Sequence, residues 1–150
     1  MDWPATAWWL LDANQRRTDF LTEAVQRLGV ADRVTVVRGR AEELGHDGGL
    51  RGRFELVVAR SFGKPAVTAE CAAGFLKVGG TLMVSEPPAT QGSESGAAGE
   101  GPRWDPVGLA ELGLALGGHQ AGCQVLHAHA ACPDRYPRRV GIPTKRPLFG

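Results

Sequence analysis

The chain has 150 residues, of which 43% are hydrophobic and 22% charged, and its formal net charge is +1. These values predict one globular domain over residues 1–150 and exclude a disordered chain or a small disulfide scaffold. The longest strongly apolar run, residues 5–11, is too short to cross a bilayer, so we expect no membrane association and a cytoplasmic location. The cysteines are odd in number and widely spaced, which favours reduced thiols.

The first predicted elements are a strand and a helix. Residues 8–11 predict a buried strand that ends at Asp12, and Asn14 is suited to cap a helix over residues 15–28. Gly29 is placed to end that helix. Its predicted buried stripe consists of Phe20, Leu21, Ala24, Val25 and Leu28.

Strands and helices continue to alternate further along the chain. We predict a strand over residues 33–37, a helical turn over 41–44, and a continuous apolar strand over 54–59 that is covered on both faces. Pro65 suits the first turn of a helix that runs to Leu76, and Gly79-Gly80 precedes a strand over residues 81–85.

The second half of the chain begins with a predicted loop. Residues 87–102 hold no aliphatic side chain larger than alanine, which predicts a mobile surface loop. A short helical segment over residues 104–116 and a strand over 123–130 follow. His127 and His129 share one face of that strand, but no further ligand stands at a recognisable spacing, so no metal site is predicted.

The alternation predicts an α/β fold with a doubly wound sheet. Ligands of such sheets bind beyond the carboxyl ends of the strands. The candidate site residues at that edge are Asp12, Ala41, Glu42, Arg60, Ser61 and Glu86.

The chain finishes on a basic tail at residues 133–150, with no acid after Asp134. Since the overall charge is close to zero, this concentration of cations predicts local attraction to phosphates, although a solvated basic terminus has the same composition. The tail cations are Arg135, Arg138, Arg139, Lys145 and Arg146.

Several segments together resemble a known family. Residues 10–12, 40–43 and 75–82 resemble class I S-adenosylmethionine-dependent methyltransferases. Their spacing, with residues 58–62 and the tail, is similar to the small-subunit ribosomal RNA guanine-N7 methyltransferases, also called glucose-inhibited division protein B. The resemblance implies a Rossmann-like methyltransferase sheet, S-adenosylmethionine as cofactor and small-subunit ribosomal RNA as partner, with no obligate protein partner evident.

The resemblance also implies roles for matching positions. Asp12 corresponds to the acid that accepts hydrogen bonds from the cofactor ribose, and Ala41 and Glu42 to the pair that lies against the adenine. Arg60 corresponds to an arginine beside the cofactor and substrate cleft, where it could meet a carboxylate or an RNA phosphate. The tail cations would contact RNA.

One departure from the family concerns its first strand and the glycine-rich loop that follows. None of the residues before Asp12 is glycine, so no backbone there is free to approach the cofactor closely. We therefore expect a natural start upstream of Met1, and we expect this chain to bind S-adenosylmethionine weakly or not at all. Whether the strands at residues 8–12 and 54–59 pair directly stays open.

Two other functions remain as alternatives. A non-catalytic RNA-binding module would use the same tail without transferring a methyl group. A nicotinamide-dependent oxidoreductase also uses an acid after its second strand, but it needs a GxGxxG loop and a Tyr-x-x-x-Lys pair. Tyr136 is the only tyrosine, and position 140 is Val, so the oxidoreductase is disfavoured.

Overall fold

The computed structural model describes residues 6–86 and 103–150. These residues belong to two compact units, one ending at Ala41 and the other beginning at Glu42. The loop predicted over residues 87–102 lies outside the described residues, whereas the basic tail lies within them.

The first unit is a parallel strand pair with one helix. Strands β1 (Trp8–Asp12) and β2 (Val34–Arg38) pair in register, with Trp8 opposite Val34 and Asp12 opposite Arg38. Helix α1 (Gln15–Arg27) connects them and packs against both. The predicted strand, helix and strand are therefore present within a residue of their predicted bounds.

The ends of α1 follow from its capping residues. The Asn14 side chain accepts a hydrogen bond of 3.1 Å from the N–H of Arg17, which satisfies a free donor of the first turn. At the other end Gly29 has a φ of 65°, and the N–H of Val30 donates to the carbonyl of Val25 at 3.2 Å. This is the Schellman ending that a glycine after the last turn favours.

The predicted apolar stripe of α1 is wrong at two positions. Phe20 is 68% exposed and Leu28 is 75% exposed. The buried positions are Thr18 and Val25, and the Thr18 hydroxyl is accommodated because it donates to the carbonyl of Gln15 at 2.9 Å. The buried face is thus narrower and more polar than hydrophobicity alone indicates.

The second unit contains a mixed four-stranded sheet with the order β3-β4-β6-β5. Its strands are β3 (Phe54–Ala59), β4 (Leu76–Ser85), β5 (Leu114–Gln120) and β6 (Cys123–Ala128). The β3 and β4 strands are parallel, and the other pairs are antiparallel. Its helices are α3 (Pro65–Ala73), α4 (Pro106–Glu111) and α5 (Ile142–Lys145), and α2 (Ala41–Leu44) leads into this unit.

Two boundaries in this unit differ from their predictions. The helix that begins at Pro65 ends at Ala73, and β4 already begins at Leu76 with a bulge against β3. Gly79 has a φ of 84° inside that bulge, so the glycine pair bends the strand rather than preceding it. The helical segment predicted up to residue 116 ends at Glu111, and a hairpin strand follows.

The core of the second unit lies between the sheet and its helices. Leu82 and Leu126 on the sheet and Leu109 on α4 are fully buried there. Strand β3 was predicted to be covered on both faces, but Leu56 is 38% exposed and Val58 is 59% exposed. Part of the apolar surface of β3 is therefore left exposed by the residues that the structure describes.

No helix in the described part of the chain is long and apolar enough to cross a membrane.

Candidate functional site

The carboxylate of Asp12 lies at the end of β1, at the edge where the parallel strand β2 also ends. Its Oδ1 accepts a hydrogen bond of 2.7 Å from the N–H of Asn14, and its Oδ2 lies 3.0 Å from Nε of Arg17. An ionised carboxylate offers about four lone-pair sites. Asp12 therefore keeps acceptor capacity beyond these contacts, and its side chain is 25% exposed.

Ala41 and Glu42 begin α2, and both are buried. Oε1 of Glu42 accepts a hydrogen bond of 3.2 Å from the N–H of Gly141 in the tail. The structure therefore brings one predicted cofactor residue to the basic tail, a proximity that the sequence does not indicate. The contact of Ala41 and Glu42 with an adenine stays a prediction.

Arg60 follows β3 and is exposed. Within the residues that the structure describes, its guanidinium has no ion pair or hydrogen bond. Ser61 follows with a φ of 49°, in the left-handed region, which costs a non-glycine residue about 1 kcal/mol. The exposed Arg60 guanidinium therefore lies next to a turn with a strained backbone.

Glu86 lies beyond β4 and is engaged inside the protein. Its Oε1 accepts hydrogen bonds of 2.7 Å from Nε of Arg103 and from the Trp104 indole, and its Oε2 lies 2.9 Å from Nε2 of His119. Burial alone would raise the pKa of Glu86, but these hydrogen bonds and the charges of Arg103 and His119 hold it below its ordinary value. Glu86 therefore has a structural role here.

The basic tail is folded against the second unit. Tyr136 is buried, and its hydroxyl donates a hydrogen bond of 2.8 Å to Oε2 of Glu111. Burial and this hydrogen bond raise the pKa of Tyr136, so its hydroxyl remains a donor at neutral pH. The Tyr136-Pro137 peptide is cis, and the Pro137 carbonyl oxygen lies 2.6 Å from Nε2 of His46.

Arg138 differs from the other tail cations because its guanidinium has a partner inside the fold. Its Nε and Nη2 donate to the two carboxylate oxygens of Glu70, at 2.9 and 2.7 Å. The Glu70 side chain is fully buried, and hydrogen bonding to it raises the pKa of Arg138. A guanidinium that neutralises a buried carboxylate cannot leave it at low cost, so Arg138 has a structural role here, and its contact with RNA stays a prediction.

The other tail cations remain accessible. Arg139, Lys145 and Arg146 are exposed, and the described residues give none of their side chains an ion pair. Arg135 is 66% exposed; it lies 4.0 Å from Glu111, and its guanidinium stacks 5.0 Å above the Tyr136 ring. These positions leave all of them available to RNA.

A cavity of about 510 Å³ lies between α2 and the tail. Acidic side chains line one part of it and tail cations another; among the lining residues are Glu42, Glu43, His46, Arg135, Arg139 and Val140. The cavity is thus lined by one predicted cofactor residue, Glu42, and by three predicted RNA-binding residues, Arg135, Arg138 and Arg139.

The sequence did not lead us to expect that Glu70 and Arg51 organise the tail. Glu70 lies in a helix of small apolar residues, AVTAECAA, where a charged side chain at a buried position is unexpected. A buried acid of this kind requires a partner, and this was the available signal. Arg51 carried no comparable signal, because the groups that accept its hydrogen bonds are backbone carbonyls.

Comparison with known sequences reveals one family. The family model described as GidB, rRNA small subunit methyltransferase G, matches residues 1–89. A Ribosomal RNA small subunit methyltransferase G from Leuconostoc citreum is 35% identical over 149 residues, which cover 93% of this chain and 58% of that protein. One from Deinococcus radiodurans is 36% identical over 143 residues, covering 93% and 55%. The chain thus spans little more than half the length of these relatives.

Solved structures with a similar fold are more distant in sequence. The [4+2]-cyclase SpnF gives a TM-score of 0.53 at 17% identity, covering 76% of this chain and 44% of that chain. The structure of PigF with SAH gives 0.51 at 14% identity, covering 83% and 43%. At these identities the likeness shows the fold alone, the Rossmann-like α/β fold of class I S-adenosylmethionine-dependent methyltransferases, and a fold does not determine a reaction.

Proposed function

Because the chain belongs to the rRNA small subunit methyltransferase G family, we propose that it serves the S-adenosylmethionine-dependent methylation of a guanine N7 in small-subunit ribosomal RNA. The family match over residues 1–89 carries this proposal. Relatives of that name at 31–36% identity, each aligned over 93% of this chain, support it.

The proposed reaction makes modest demands on the protein. S-adenosylmethionine supplies an electrophilic methyl group on its sulfonium. Guanine N7 already carries a free lone pair, so the chain needs no general base. Its residues would instead hold the nucleophile in line and exclude water from the site.

The side chains at the strand ends fit this proposal. Asp12 has unused lone pairs and partial exposure, which suit a pair of ribose hydroxyls. Arg60 is an exposed cation with no partner among the described residues, and it would bind a carboxylate or a phosphate. Arg135, Arg139, Lys145 and Arg146 would bind the RNA backbone.

A labelled methyl-transfer assay tests the proposal. Small ribosomal subunits that lack the modification are incubated with labelled S-adenosylmethionine and either this chain or the longest reading frame that contains it. We expect label at a guanine N7, detected as strand cleavage at that base after reduction and aniline treatment. Label at another atom would contradict the proposal. RNA binding without any transfer would favour the non-catalytic RNA-binding module.

Two substitutions connect the activity to the proposed residues. Asp12→Asn removes the charge from the ribose acceptor, so we expect methyl transfer to fall about tenfold or more, since a hydrogen bond to a charged group is worth roughly 1.5–3 kcal/mol. Asp19→Asn, on the exposed side of α1, makes the same charge change and should leave transfer unchanged. Arg60→Ala should also lower transfer, with Arg53→Ala as its exposed control.

A further inference from the structure

Glu70 is a fully buried acid in the middle of α3. A buried carboxylate needs charged or hydrogen-bonding partners, because an unpaired one is strongly disfavoured. Arg138 provides both kinds of partner: its backbone N–H donates to Oε1 of Glu70 at 2.8 Å, and its guanidinium contacts both carboxylate oxygens. This bidentate geometry fixes the backbone and the side chain of Arg138 together.

Arg138 also holds the far end of the segment that follows it. Its Nη2 donates a hydrogen bond of 2.7 Å to the backbone carbonyl oxygen of Arg146. Between these points α5 packs against α3, and Pro143 is fully buried. One side chain therefore fixes both ends of residues 138–146.

This segment carries three exposed cations on a fixed backbone. We propose that Glu70 and Arg138 are positioning residues for an RNA-phosphate surface formed by Arg139, Lys145 and Arg146. Nε and Nη2 of Arg138 are committed to Glu70 and to the Arg146 carbonyl in this arrangement, so these two nitrogens position the segment and do not contact phosphate. The inference rests on the proposed function, because it concerns the same RNA.

Removing the acid distinguishes positioning from simple attraction. Glu70→Gln raises the net charge by one, so electrostatic attraction alone would tighten RNA binding. If Glu70 instead positions the segment, its substitution should weaken RNA binding. We expect affinity for a small-subunit ribosomal RNA fragment to fall about tenfold at low salt, with the slope of log affinity against log salt reduced by about 2, since each phosphate contact contributes roughly 0.7–0.9.

Two further variants separate charge from geometry. Arg138→Lys keeps the cation but loses the planar fork, and we expect it to lower the slope as much as Glu70→Gln does. Arg138→Lys also keeps the inference testable if Glu70→Gln does not fold. A melting curve shows whether each variant is folded. Glu55→Gln, at an exposed acid paired with Lys77, makes the same charge change as Glu70→Gln and should not weaken binding.

Hydrogen exchange provides a readout that does not need RNA. The amide hydrogens of Ile142, Lys145 and Arg146 are bonded within the segment. We expect them to exchange faster in both positioning variants than in the wild type, at a temperature where all are folded. Unchanged exchange in this segment overturns the inference.

RNA binding by the wild type and by the variants distinguishes a failure of the proposed function from a failure of this inference. A wild type that binds no RNA overturns the RNA-binding part of the proposed function, and this inference with it. A wild type that binds, with Arg139→Ala lowering the slope by about 1 but Glu70→Gln and Arg138→Lys leaving it unchanged, overturns this inference alone.

Discussion

Arg51 and Tyr136 are joined by a hydrogen bond of 2.9 Å, from Nη1 of the guanidinium to the backbone carbonyl oxygen. The same nitrogen donates to the Gly45 carbonyl at 2.7 Å, and Nη2 donates to the carbonyls of Cys132 and Pro133 at 2.8 and 3.1 Å. The Arg51 side chain is 19% exposed. One planar group thus satisfies carbonyls at the beginning of the tail and in the turn after α2.

Arg51→Lys is therefore expected to destabilise the protein although it keeps the charge. A single ammonium cannot reproduce the fork that reaches four carbonyl groups. We expect the free energy of unfolding to fall by about 2 kcal/mol, because hydrogen bonds to charged groups contribute roughly 1.5–3 kcal/mol. Urea denaturation measures this change. Arg53→Lys is the control: its guanidinium makes one long contact of 3.4 Å with the Gly49 carbonyl, and it should change stability little.

Low pH should lower the free energy of unfolding, because the Glu86 carboxylate becomes protonated. The pKa of this carboxyl is lowered in the folded protein relative to its ordinary value of 4.5. Its stabilising contribution is therefore fully present above that value and is lost as the pH falls through the lower, folded-state pKa. At pH 7 we expect Glu86→Gln to cost about 2 kcal/mol, the scale of hydrogen bonds to a charged group.

Denaturation at a series of pH values checks this prediction. The stability difference between wild type and Glu86→Gln should shrink as the pH falls below about 4.5. A difference that stays constant down to pH 3 would show that the contacts with Arg103 and Trp104 do not depend on the carboxylate charge. Glu23→Gln, at an exposed acid on α1, is a control for the general effect of removing a carboxylate.

Elements with strong local signals were predictable from the sequence. The helix after Asn14 and the strand over residues 54–59 have the predicted starts, because a cap residue and a continuous apolar run act locally. Strand β5 was missed. Gly117 and Gly118 interrupt its alternation, and its pairing with β6 is bulged at this point, so only the tertiary partner reveals it as a strand.

The candidate site likewise contains features that the sequence predicted and features that it did not. Asp12 and Arg60 were placed correctly at strand ends, because the strands that precede them have clear patterns. The pairing of Arg138 with Glu70 joins positions 68 residues apart, and no local periodicity carries that information. The tail was therefore predicted as a run of cations, whereas one of them is a structural partner inside the fold.

Gly113 and Gly118 offer a matched test of backbone packing within the second unit. Both have positive φ values, 76° and 91°, so alanine is strained at either position. A Cβ at Gly113 would lie 2.6 Å from the carbonyl oxygen of Ala130, whereas a Cβ at Gly118 would meet no atom within 4 Å. Both substitutions therefore place a side chain on a backbone with positive φ, and only the one at Gly113 adds a clash.

We expect Gly118→Ala to cost about 1 kcal/mol, the penalty for a left-handed alanine, and Gly113→Ala about 3 kcal/mol, because overpacking against backbone adds roughly 1–3 kcal/mol. The Gly113 carbonyl also accepts hydrogen bonds from the N–H groups of His129 and Ala130 at 3.0 and 3.3 Å, so any shift that relieves the clash weakens this junction. Urea denaturation of both variants measures the difference. Equal costs would mean that the segment at Ala130 moves aside freely, and that the junction between α4 and β5 is not held by this close approach.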